Sequence, residues 1–170
     1  MVHHYYFSKE KLLSACIASV YVELTGLHDR FEKVIARAGS GEELLREAVV
    51  EGYRFARERR EFVRLLLRIV IARGTVGEGE PVLRRFLDAM SARFGELIGR
   101  PPETLRLSLQ SIVFLIARYS IQEETEMQWV VGPDLIASAG SAAKAIEDHI
   151  ADCAWRLLIV EGTFMQRAAE

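Results

Sequence analysis

The chain has 170 residues, half of them apolar and 27% charged, with four prolines, two cysteines and a net charge of −2. That length can bury a core within one domain, and the composition favours neither disorder nor a coil-rich fold. The near-neutral charge leaves no overall electrostatic footprint for nucleic acid, so any DNA-reading surface must be local.

No apolar run reaches membrane-spanning length, and the N-terminus carries no basic-then-apolar leader. The expectation is a soluble cytoplasmic protein with no membrane partner, in which Cys16 and Cys153 are reduced, buried thiols. The N-terminal string Val2-His3-His4-Tyr5-Tyr6-Phe7 runs into Ser8, a good helix N-cap, and Lys9 opens an apolar-periodic segment. Leu12, Cys16, Val20, Leu24, Leu27, Phe31 and Val34 recur at helical spacing, predicting one long helix that Gly26 bends and Gly39-Ser40-Gly41 ends. Ser40 and Glu43 form a capping box that opens a second helix, from Glu42 to about Arg57.

Charges of both signs fill residues 57–61 and predict a corner. Residues 62–73 are almost solidly apolar. Arg64, Arg68 and Arg73 recur there at four- and five-residue steps, which favours a helix over a strand and predicts the central buried helix. Glycine-rich residues 74–81 read as a loop. Val82, Phe86, Met90, Phe94 and Leu97 make an amphipathic helix closed by Gly99-Arg100, and Pro101-Pro102-Glu103 opens another, reaching about Ile121. Residues 122–133 read as an irregular connection. The last helix, residues 135–161, begins with small side chains from Ser138 to Ala145 that let a neighbouring helix approach closely. The sum is an all-α chain of about seven helices with no strand pair.

No nucleophile elbow, zincin, phosphate loop or paired Glu-x-x-His pattern occurs, so neither enzyme activity nor a cofactor is expected. His149 and Cys153 lie one helical turn apart with Asp148 and Asp152 beside them, but two ligands on one helix do not make a metal site. A helix face with charged flanks is the better reading. Glu123, Glu124 and Glu126 read as a solvated loop, and Arg54, Arg57, Arg59, Arg60, Arg64 and Arg68, interleaved with Glu58 and Glu61, as a solvated face and corner.

Residues 2–13 resemble the end of the DNA-recognition helix in bacterial TetR-family transcriptional regulators, whose pattern is like Leu-Tyr-x-His-Phe-x-Ser/Asn-Lys-Glu-x-Leu-Leu. Ser8-Lys9-Glu10 and Leu12-Leu13 match it; His3 stands where the family has Tyr, Tyr5 where it often has His, and Tyr6 where it has Phe. The resemblance implies that His3, Tyr5 and Lys9 contact DNA. In the family roughly forty residues of helix-turn-helix precede this string. Residues 1–8 are thus expected to be the remnant of that domain, and residues 9–170 the ligand-binding and dimerisation body. Operator DNA would be bound only with the preceding helices restored.

The resemblance also implies an apolar cavity for a small apolar effector, with Phe62, Leu66, Phe86, Met90 and Phe114 as candidate lining residues. It further implies a homodimer through helices 102–121 and 135–161, whose apolar and small-residue faces call for a partner. The function expected is a ligand-responsive regulator, a repressor in type. The alternative is a dimerisation or ligand-carrier module that does not bind DNA.

Overall fold

A computed structural model of the chain describes residues 8–37, 40–73 and 80–160; at residues 9–10, 13–14, 16–17, 20–25, 28, 35, 73, 80–83 and 160 it describes the backbone alone. The fold is all-α, with no strand among the described residues. Among the described residues eight helices follow one another: α1 (Lys9–Arg37), α2 (Gly41–Glu58), α3 (Arg60–Arg73), α4 (Glu80–Ile98), α5 (Pro102–Ser120), α6 (Glu124–Val131), α7 (Pro133–Ala139) and α8 (Ala142–Trp155), the last running into a π turn at Arg156–Val160.

Local chemistry sets most of the boundaries. The Ser40 hydroxyl accepts from the Glu43 amide at 3.2 Å and starts α2, and the Ser141 hydroxyl does the same for Lys144 at 3.1 Å to start α8. Pro102 sits in the first turn of α5, where its missing N–H costs nothing. The chain turns between α2 and α3 at Arg59, whose amide bonds back to the Ala56 and Arg57 carbonyls. Gly99 closes α4 with φ +68°, and the Arg100 amide reaches the Gly95 carbonyl at 3.0 Å. α1 is continuous through Gly26.

The core forms where α2, α5 and α8 meet. Leu45 and Tyr53 from α2, Leu105 and Ile112 from α5, and Ile150 and Ala154 from α8 are buried there. Ala142, Ala151 and Ala154 are almost fully buried and leave room for α2 to lie close against α8. Met127 of α6 plugs the same core, and the Tyr53 hydroxyl meets its sulfur at 3.8 Å. Burial holds the Tyr53 phenol above its ordinary pKa.

Three expectations need correction. Residues 62–73 are not the central helix: Ile69 is the buried member of α3, and Ile71 is 82% exposed. A solid apolar run says nothing about which neighbours are available, and α3 packs on one side, against α5 and α2. Residues 122–133 are not irregular, because α6 and the start of α7 occupy them. The last predicted helix is two helices, broken where Gly140 takes φ +86° and Ser141 caps α8. The predicted loop at 74–81 lies largely outside the described residues.

Candidate ligand-binding cavity

α2 presents Ala48, Gly52, Phe55 and Ala56 on one helical face, and α5 presents Leu109, Ile112, Val113 and Ile116 opposite. α4 adds Phe86, Met90 and Phe94, α3 adds Phe62, Val63 and Leu66, and α1 adds Leu27 and Phe31. Between them lies a cavity of about 210 Å³, with Leu158 of the π turn also on its wall. Gly52 is buried and faces Ile116, so the missing side chain at this position contributes directly to the open space.

Arg59 is the one charged residue among the described lining residues. Its guanidinium lies over the Phe55 ring, 4.1 Å from the centroid, and pairs with Glu58 at 3.0 Å. Arg30 also lies over the Phe55 ring, 5.5 Å from its centroid, and bridges Glu51 and Glu58 at 2.9 and 3.0 Å. These hydrogen bonds, Arg30 first, hold the Glu58 carboxyl below the usual carboxylate range and raise Arg30. The charges at this end of the cavity thus already answer one another. The other described lining residues are apolar, with the Met90 thioether their one weak acceptor.

A second hollow of about 220 Å³ lies beside the first and shares Phe31, Ala48, Met90 and Phe94 with it. Its far side carries Glu32, Arg93 and Glu96, with Arg93 3.7 Å from Glu32 and 3.2 Å from Glu96. Met90 therefore stands between two spaces. A flexible thioether suits a position that must adapt to what lies on either side.

Phe62, Leu66, Phe86 and Met90 come together on the cavity wall. Phe114 does not: it is 50% exposed on the outer side of α5, because the inward side of that helix is taken by Leu109, Ile112 and Ile116. Arg59, Gly52, Ile116 and Leu158 are wall residues that sequence reasoning missed. Gly52 carried a signal, since glycine inside an amphipathic helix is costly unless space is needed there. His3 and Tyr5 lie outside the described residues, and of Lys9 only the backbone, at the start of α1, lies within them.

His149 Nε2 and Cys153 Sγ are 3.6 Å apart on the outer side of α8, with the His149 ring edge-on to Tyr119 at 5.8 Å. No group of three metal-ligating side chains occurs among the described residues. Asp148 and Asp152 pair with Arg46 at 3.3 and 2.7 Å. Cys153 is half-buried, and the Cys16 side chain lies outside the described residues. Two acidic residues of the 122–133 stretch are likewise engaged: Glu123, just before α6, with Arg60 and Arg64, and Glu126 of α6 with Arg118. No described helix is long and apolar enough to cross a membrane.

No family model matches this chain, and neither a curated protein nor a solved structure is similar to it.

Proposed function

We propose that this chain is the effector-binding and dimer-forming body of a TetR-like transcriptional regulator, a repressor in type. The observation that carries the reading is the apolar cavity lined by α1 to α5 in an all-α bundle. Burying an ion there costs several kcal/mol without a partner, and the described lining residues supply none beyond the already paired Arg59, so the effector is neutral and apolar. A cavity of about 150 Å³ takes benzene, so about 210 Å³ suits a molecule of roughly eight to ten carbon atoms. The operator-reading part of the proposal rests on the resemblance at residues 2–13, with His3, Tyr5 and Lys9 as the DNA contacts. Such a ligand acts by binding one arrangement of the bundle better than another.

The test is a fusion in which a TetR-type helix-turn-helix of known operator is joined to this chain through residues 2–13. The reading expects operator binding by a dimer, and release when a neutral two-ring hydrocarbon is added. A fusion that binds the hydrocarbon and keeps the operator contradicts regulation and leaves a ligand carrier. A fusion that pairs but does not bind the operator leaves the alternative role, a module that dimerises without binding DNA.

A further inference from the structure

The inner face of α5 belongs to the core and the cavity, but its outer face has a pattern of its own. Glu103, Leu107, Ser111, Phe114 and Arg118 recur at four- and three-residue steps, share one side of the helix, and are all exposed. Leu107 is 83% exposed and Phe114 50%, which leaves two large apolar side chains in water on a helix whose other side is packed.

We propose that this stripe meets the same stripe of a second copy, α5 lying antiparallel on its own copy about a two-fold axis between Gln110 and Ser111. A two-fold contact must be self-complementary: whatever residue i meets, the reverse contact occurs as well. With the axis there, Leu107 meets Phe114 of the partner subunit and Glu103 meets Arg118 of the partner subunit. Both pairs fall on the one axis, apolar in the middle and oppositely charged outside, the order of an interface core and its rim. The small Ser111 side chain beside the axis lets the helices approach. Shifting the register by a helical turn sets Leu107 against Arg118 of the partner subunit, or Glu103 against Phe114 of the partner subunit. A parallel pairing sets like charges opposite each other at both ends.

Arg118 also holds Glu126 of its own chain at 2.5 Å, yet its side chain remains 55% exposed and has donors to spare. One turn beyond Glu126 stands Trp129, 83% exposed, a further large apolar side chain in water on α6. The pairing rests on the homodimer of the proposed reading and not on its effector.

The experiment uses the full chain. Sedimentation equilibrium should give twice the 19.2 kDa chain mass for the wild type and the single-chain mass for Leu107→Glu, an exposed position whose change leaves the core untouched. Ser111→Cys, beside the axis, should cross-link to itself under mild oxidation, with the linked peptide identified by mass spectrometry. Glu103→Cys, about 11 Å from the axis along the helix, should not. A monomeric wild type overturns both the register and the homodimer. A dimer that Leu107→Glu leaves intact, or one in which Glu103→Cys links as readily as Ser111→Cys, overturns the register and leaves the homodimer standing.

Discussion

Two glycines inside helices respond to the same substitution with opposite signs. A Cβ at Gly52 would sit 3.5 Å from the Ile116 methyl, an ordinary contact, so Gly52→Ala should stabilise the chain by about 0.5–1 kcal/mol through reduced backbone entropy. The added methyl also takes up cavity space, so ligand affinity should fall in the same variant. A Cβ at Gly95 would lie 2.6 Å from the Arg100 carbonyl oxygen, and Gly95→Ala should cost about 1–3 kcal/mol as α4 and its closing turn shift apart. Urea denaturation of both variants measures the contrast; equal effects would mean that α4 relaxes freely. Glu147 is the other sensitive residue. It is 8% exposed and accepts from Arg54 Nε and a terminal nitrogen at 2.7 and 2.9 Å. Arg54→Ala leaves this carboxylate buried with its main partner gone and should cost about 1–3 kcal/mol by the same assay. A loss near zero would mean that water enters and replaces the arginine.

At the scale of elements, the arginines of the α2–α3 corner hold the far end of α5. Arg57 donates to the Ser120 and Gln122 carbonyls, Arg64 to the Ile121 carbonyl, and Arg60 and Arg64 pair with Glu123 at the start of α6. These partners are roughly sixty residues away along the chain, which is why the sequence disclosed only a charged corner. Cations on the last carbonyls of a helix satisfy groups that have no partner within it. Hydrogen bonds from Arg64 and Arg118, first among the causes, lower the Glu123 and Glu126 carboxyls, and Arg30 lowers Glu58. Depressed carboxylates contribute stability that is present above their unfolded pKa and lost as pH falls through the folded value. The melting temperature should therefore be flat above about pH 5 and fall as pH drops below the ordinary glutamate value of about 4.3. Glu123→Gln should flatten part of that slope, and an unchanged slope would remove the α3–α6 clamp as its source. Helices with a cap or a full amphipathic period were legible in advance, as Ser40 and Pro102 illustrate. α6 has eight residues and no side-chain cap, too little for its period to declare itself. The break before α8 hid in a run of small residues that a continuous helix accepts as readily.

For the whole molecule, fold class was legible because apolar spacing repeats from α1 to α8 with nothing that could pair as strands. The cavity was legible only in its ingredients. Phe62, Leu66, Phe86 and Met90 sit on inward stripes and reach its wall, while Phe114 belongs to the outward stripe of the same helix period and does not. A single sequence gives the period of a helix but not the distance to its neighbours, and it is that distance which opens about 210 Å³ here. The central claim is that this space takes a neutral apolar molecule. Isothermal titration of the full chain with naphthalene tests it most directly. The account predicts saturable binding of one molecule per chain, weakened in Gly52→Ala. No saturable binding, or binding that Gly52→Ala leaves unchanged, would contradict it.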